Sequence, residues 1–170
     1  MTSDNRPVIR EIAPGDAEAL VAHVEAVVAE NTGTITLRKA PTLEQEREFI
    51  AKNIAAERAI VLVAMDGDRV VGMLDLQAGE RDVNRHAGRF GMSVAKEWRG
   101  KGVGRALLEA AIAKTREWPG FCRIELEVFP HNKAAIALYE SLGFELEARK
   151  VKAVKMGAQP EDLLLMALVW

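Results

Sequence analysis

The chain has 170 residues, 49% of them apolar and 28% charged, the balance of one globular domain rather than of a disordered chain. Lys and Arg total 23 against 25 for Asp and Glu, a net charge of −2. That balance offers no electrostatic footprint for nucleic acid or for an anionic membrane surface, and no apolar run reaches the roughly 18–20 residues of a spanning helix. The single cysteine, Cys122, rules out an internal disulfide and a cysteine-rich zinc module, and His23, His86 and His131 have no metal-ligand spacing. No metal is expected.

Met1 to Arg10 carries Asp4 and Pro7 and lacks the apolar core of a signal peptide, so a cytoplasmic protein is expected. Val8 to Ile12 reads as a short strand, and Pro14-Gly15-Asp16 as a turn and cap. Leu20, Val24, Val27 and Val28 then mark one face of a helix ending near Glu30. Asn31 to Pro41 is polar and Thr-rich, a loop. Thr42-Leu43-Glu44-Gln45 has capping-box spacing and predicts a helix to about Arg58 that buries Phe49, Ile50 and Ile54. Two β-rich runs, Ala59–Met65 and Val70–Leu76, flank the turn signal Asp66-Gly67 and predict an antiparallel hairpin. Ala87–Ala95 is a further strand. After the glycines Gly100, Gly102 and Gly104, a helix carrying Leu107, Leu108, Ala111 and Ile112 runs to about Trp118, where Pro119-Gly120 stops it. Arg123–Phe129 alternates, with Ile124, Leu126 and Val128 on one face and Glu125, Glu127 and Phe129 on the other. Asn132–Leu142 is a helix closed by Gly143, and Phe144–Val151 and Leu163–Trp170 are closing strands. The order predicts a single mixed α/β domain over residues 1–170.

The segment Arg99-Gly100-Lys101-Gly102-Val103-Gly104-Arg105 places glycine at every second position between a strand and a helix. Such a loop lets a ligand approach backbone N–H groups, and the helix N-terminus adds unpaired donors, so the site suits a phosphate. Arg99, Lys101 and Arg105 add positive charge. The run fails the G-x-x-x-x-G-K-[ST] pattern of a nucleotide-binding P-loop, because Gly102 follows Lys101.

These residues match the R/Q-x-x-G-x-G/A signature of the GNAT superfamily of acetyl-CoA-dependent N-acetyltransferases. Asn132-Lys-Ala-Ala135-Ile-Ala-Leu138-Tyr139-Glu-Ser-Leu-Gly143-Phe144 resembles that superfamily's second hallmark, N-x-x-A-x-x-L-Y-x-x-x-G-F. The resemblance spans roughly Val8 to Trp170 and implies a central mixed sheet flanked by helices. It also implies a strand edge at Met92, Ser93 and Val94 that hydrogen-bonds the pantetheine arm, and a pyrophosphate on the amides from Arg99 to Arg105. Asn132 is implied to bond the pantetheine side of CoA, and Tyr139 to stand near the thioester sulfur.

The implied chemistry is direct attack of an amine on acetyl-CoA. Tyr139 is the expected proton donor to the thiolate, and the backbone N–H of Val94 the expected donor to the oxyanion. Glu127, five residues before Asn132, resembles the catalytic glutamate of the ribosomal-protein alanine acetyltransferases. As the base it competes with His86 and with a water chain. Asp75 either holds a cationic amine or faces water. The second motif looks closest to the ribosomal-protein enzymes, and Asp162-Leu-Leu-Leu-Met166-Ala167 looks closer to enzymes acting on amino acids and small amines. The expected partners are acetyl-CoA and an amine acceptor, a small molecule or amino acid first and a protein N-terminus second, with no nucleic acid and no membrane. A non-catalytic CoA-binding or regulatory module of the same superfamily is the alternative. A homodimer through the C-terminal strands is a further implication.

Overall fold

The computed structural model describes residues 6–170. Met1–Asn5, which open both the expected domain and the stretch read for a signal peptide, lie outside the described residues. In chain order the elements are β1 (Val8–Glu11), α1 (Ala17–Ala29), α2 (Leu43–Ala55), β2 (Ala59–Asp66), β3 (Arg69–Ala78), β4 (Ala87–Val94), α3 (Val103–Arg116), β5 (Arg123–Val128), α4 (Lys133–Ser141), β6 (Glu145–Val154) and β7 (Glu161–Val169). This is the predicted α/β order. The capping box forms as its spacing requires: Gln45 N–H donates to Thr42 Oγ1 at 3.3 Å, and Thr42 N–H donates to Gln45 Oε1 at 2.9 Å. Gly67, at φ +58°, turns β2 into β3.

The seven strands form one sheet in the order β1-β2-β3-β4-β5-β7-β6. Every neighbouring pair is antiparallel except β4 and β5. That parallel pairing holds only Ala87 with Arg123, Gly88 with Ile124 and Arg89 with Glu125. Beyond Arg89 the two strands part, and each continues toward its own C-terminal end without the other.

Each sheet face buries its own core. On one, Leu74, Leu76, Phe90, Ile124 and Leu126 pack against Leu107, Leu108 and Ala111 of α3 and Tyr139 of α4. On the other, Val61 and Val63 of β2 meet Leu20 and Val24 of α1 and Ile50 of α2. The helix α2 is rotated from the expected orientation. Ile54 is 52% exposed, Phe49 is only partly buried, and the inward residues are Glu46, Ile50 and Asn53. Asn53 tolerates this position because its amide donates to Phe49 C=O at 2.8 Å and accepts from Gln77 Nε2 at 3.0 Å. Phe129 also departs from expectation. The strand stops at Val128, the alternation ends there, and Phe129 is buried rather than set beside Glu125 and Glu127. Among the described residues no helix is long and apolar enough to cross a membrane.

Leu107 is fully buried between α3 and the sheet. Leu107→Ala is expected to cost about 2–5 kcal/mol of stability, read as a lower urea midpoint with an unchanged slope.

Candidate active site

Where β4 and β5 part, a cleft of about 900 Å³ opens. Its edges follow from strand alternation. Gly79 N–H donates to Ala87 C=O and Ala95 N–H to Val71 C=O, so the odd-numbered residues of β4 turn their backbone toward β3. Phe90, Met92 and Val94 therefore turn N–H and C=O into the gap that β5 has left. The backbone of Ser93 belongs to the β3 ladder, and its side chain, not its main chain, contributes to the site. Of the expected strand edge, Met92 and Val94 supply open backbone. The Val94 C=O is already taken by Arg99 Nε at 2.9 Å, which leaves its N–H.

The glycine loop closes one end of the cleft. Gly100 and Gly102 have φ of +71° and +83°, a region that penalises any side chain, and Gly102 is the N-cap of α3. Ala106 N–H is the first to find an intrahelical acceptor, the C=O of Gly102. The amides of Val103, Gly104 and Arg105 consequently point out of the helix end with its partial positive charge. A Cβ at Gly100 or Gly102 would meet nothing within 4 Å, so that space is free for a ligand. This cradle fits a pyrophosphate, and the open edge of β4 fits an extended amide-bearing arm.

The basic side chains of the loop are more committed than the sequence suggests. Arg99 holds Glu30 at 2.7 and 3.0 Å and so ties the end of α1 to the end of β4. Arg105 holds Ser141 Oγ at 2.6 Å and Glu109 at 3.3 Å, and Lys101 Nζ stands 5.2 Å over the Trp98 ring. All the expected site residues line the cleft except Lys101. Helix α4 brings two of them. Asn132 caps it, its Oδ1 accepting from Ala135 N–H at 3.3 Å, which leaves its NH₂ free to donate. Tyr139 packs edge-on against Phe90 at 5.8 Å, and burial pushes its phenol up to about 12.

On the opposite face of the sheet the cleft is walled by Asp75, Ser93 and Glu127 together with Thr32, Thr34 and Thr36 of the α1–α2 loop. Glu127 accepts from Lys150 Nζ at 2.7 Å and lies 4.0 Å from Arg89. His86 precedes β4 at the closed end, where its C=O accepts from Cys122 N–H. Seven strand residues, roughly 23 Å, separate it from Ser93, and it does not line the cleft. His23, on α1, was read only for metal spacing. It is 4% exposed, its Nε2 is 2.9 Å from Ser93 Oγ, and its Nδ1 has no hydrogen-bond partner among the described residues. No sequence pattern joins His23 to Ser93, since only the packing of α1 on β4 makes the pair. Burial lowers the His23 pKa to about 4, with Val70 backbone opposing this only in part. Among the described residues no group of three or more His, Cys, Asp or Glu could hold a metal ion.

A family model for the acetyltransferase (GNAT) family matches residues 29–144. The L-amino acid N-acetyltransferase AaaT of Escherichia coli K12 is 35% identical over 109 residues, 64% of this chain and 67% of its own length. The ribosomal protein bS18-alanine N-acetyltransferase of the same strain is 40% identical over 79 residues, and this chain spans only 53% of it. A GNAT-family acetyltransferase structure from Streptococcus pneumoniae superposes with a TM-score of 0.89 at 29% identity, over 95% of this chain and 98% of that one. The structure of yncA from Salmonella typhimurium with its cofactor acetyl-CoA has a TM-score of 0.85 at 25% identity, over 96% and 93% of the two chains.

Two outcomes follow from the local physics. Gly102→Ala must place a side chain at φ +83°, so it is expected to lose about 1–2 kcal/mol by thermal unfolding and to weaken anion binding at the helix end. The folded-state pKa of His23 is depressed, so its contribution to stability is full above about 6.5 and is lost as pH falls through 4. A loss of about 3 kcal/mol between pH 7 and 4, larger than in His23→Asn, is expected from urea midpoints.

Proposed function

Because this chain belongs to the GNAT acetyltransferase family, we propose that it transfers the acetyl group of acetyl-CoA to the primary amine of a small molecule or amino acid. The observation that carries this reading is convergence. The open edge of β4, the outward amides of α3 and the hydroxyl-bearing Tyr139 all line one cleft. Acetyl-CoA supplies an activated acyl group and a thiolate leaving group when bound.

The residues of this chain do the rest. Amides 103–105 hold the pyrophosphate, while Arg99 is engaged by Glu30, Arg105 by Ser141, and Lys101 stands over the Trp98 ring. Met92 presents its main-chain groups to the pantetheine arm, and the NH₂ of Asn132 donates to it. Val94 N–H stabilises negative charge at the carbonyl oxygen during attack. Tyr139 delivers a proton to the departing sulfur. With its phenol pushed up to about 12, it keeps that proton throughout the neutral range. Transfer to a thiolate, whose conjugate thiol has a pKa of about 8.5, is uphill unless the attacking nitrogen refills the phenol as it empties. Direct transfer, with nitrogen, Tyr139 and sulfur in one proton chain, satisfies that requirement. Glu127 shapes the acceptor wall. Its Oε1 accepts from Lys150 Nζ.

The similarity to an L-amino acid N-acetyltransferase supports a small acceptor. A protein N-terminus is the second reading, favoured by the 40% identity to the ribosomal-protein enzyme. A cytoplasmic setting agrees with the lone, unpaired Cys122. A homodimer through β6 and β7 agrees with the exposed Leu146 and Val151 on the outer strand.

Calorimetric titration is expected to show one-site binding of acetyl-CoA that ATP does not reproduce, and no binding would overturn the reading. Tyr139→Phe is expected to keep that binding and to lose turnover on the order of 100-fold, measured as thiol release. Undiminished turnover removes Tyr139 as the proton donor.

A further inference from the structure

The charge ledger of the acceptor wall has one conspicuous gap. Glu125 is held by Arg89 at 2.5 Å and by Arg123 at 2.9 Å, and Glu127 by Lys150 at 2.7 Å. Asp75 has no cationic partner among the described residues, although it lines the same cleft. It sits in β3 opposite Gly91 of β4. Gly91 carries no side chain, and Asp75 Oδ1 lies 3.1 Å from the point where a Cβ would stand. The carboxylate thus leans over the strand whose far edge is open to the pantetheine arm. Ser93, two residues along β4, shares this face.

Behind Asp75, on α2, stands Glu46. It is 5% exposed, has no cation and no hydrogen-bond donor among the described residues, and is close enough to feel the charge of Asp75. A buried carboxyl beside a half-buried one, with no positive charge between them, is costly, because neither the partial desolvation nor the like-charge repulsion is offset. An ammonium ion arriving from the cleft supplies the missing charge.

We propose that Asp75, with Glu46 behind it, receives the acceptor as an ammonium ion and takes its proton, so that cationic primary amines are the substrate class. The proposal rests on the acetyl-transfer reading above. One N–H proton passes from the ammonium to the Asp75 carboxylate. The freed lone pair forms the C–N bond to the acetyl carbon as the C–S bond breaks. A second N–H proton replaces the one that Tyr139 gives to sulfur, and Asp75 releases its own to water. One amide, one thiol and one free proton result.

Burial pushes the Asp75 carboxyl up to about 6, and burial together with the charge of Asp75 raises Glu46. The other charged or titratable groups on this side are Arg89 from β4, occupied by Glu125 of β5, Glu127 of β5, paired with Lys150 of β6, and His23 from α1, held neutral by burial. From β2 the residue opposite Asp75 is the apolar Val61. Asp75 is therefore the carboxylate in the cleft that can gain a proton near neutrality without breaking an ion pair.

The test uses the whole chain with acetyl-CoA and a panel of the L-amino acids, primary alkylamines and a peptide with a free N-terminal alanine. The fastest acceptor is carried into a pH series of kcat/KM. For the wild type an acid limb near pH 6 with a plateau above it is expected. Asp75→Asn is expected to bind acetyl-CoA normally, to lose on the order of 100-fold in kcat/KM at pH 7, and to recover as pH rises toward the acceptor's own pKa, where the amine is already neutral. An Asp75→Asn profile that parallels the wild type, or the absence of turnover with every cationic amine, overturns the proposal. A wild type that binds no acetyl-CoA fails at the earlier step and overturns the transferase reading itself.

Discussion

Everything in this active site depends on a parallel strand pairing that is abandoned after three residue pairs. Strands β4 and β5 are each fully committed on their outer sides, β4 to β3 and β5 to β7. Between them the ladder ends at Arg89. Phe90, the next residue of β4, packs edge-on against Tyr139 and Phe144, and these three rings fill the angle where the strands diverge. A buried strand edge without partners is normally avoided, since each unpaired amide or carbonyl costs as much as a lost hydrogen bond. Here Met92 and the Val94 N–H leave open an edge of the kind to which an extended ligand adds as a strand.

The two faces of the sheet divide the work. On the side of α3 and α4 the site combines backbone groups, namely a helix end, positive-φ glycines and a strand edge, with the uncharged side chains of Asn132 and Tyr139. These elements need no mobile charge, and Arg99 and Arg105 serve as straps. Arg99 joins Val94 to Glu30 and so couples the C-terminal end of β4 to the end of α1. On the side of α1 and α2 the site is built from side chains. There the ion pairs of Glu125 and Glu127 contrast with the uncompensated Asp75 and Glu46. Fixed dipoles suit a cosubstrate that is always the same, and an unbalanced carboxylate suits an acceptor that arrives charged and must leave neutral.

The cosubstrate half of the site was legible in the chain because its determinants are local. Gly100, Gly102 and Gly104, and the run from Asn132 to Phe144, are contiguous, and each specifies its own backbone geometry. The acceptor half was not. Glu127 was found through a resemblance in spacing, but its ion pair with Lys150 joins β5 to β6, and no local pattern carries it. His86, at the head of β4, reads as a competing base from the ordinary pKa of an imidazole alone. The sheet puts that residue at the closed end. The rotation of α2 was missed for a similar reason. Ile54 looks like a core residue on a helical wheel, and only the partner Gln77 on β3 explains why Asn53 faces inward in its place.

The sequence by itself determined the elements, the hairpin, the capping box and the glycine turn before α3, because propensity, periodicity and glycine stereochemistry act over a few neighbouring residues. The tertiary structure alone decided which β4 backbone groups stay open, which carboxylates find cations and which face of α2 looks inward. Those outcomes depend on residues far apart in the chain arriving within hydrogen-bonding distance, and on the loss of water between them. The energy of a carboxylate is set by what surrounds it, so Asp75, Glu46 and Glu127 acquire their different characters only when the sheet and its helices close around them.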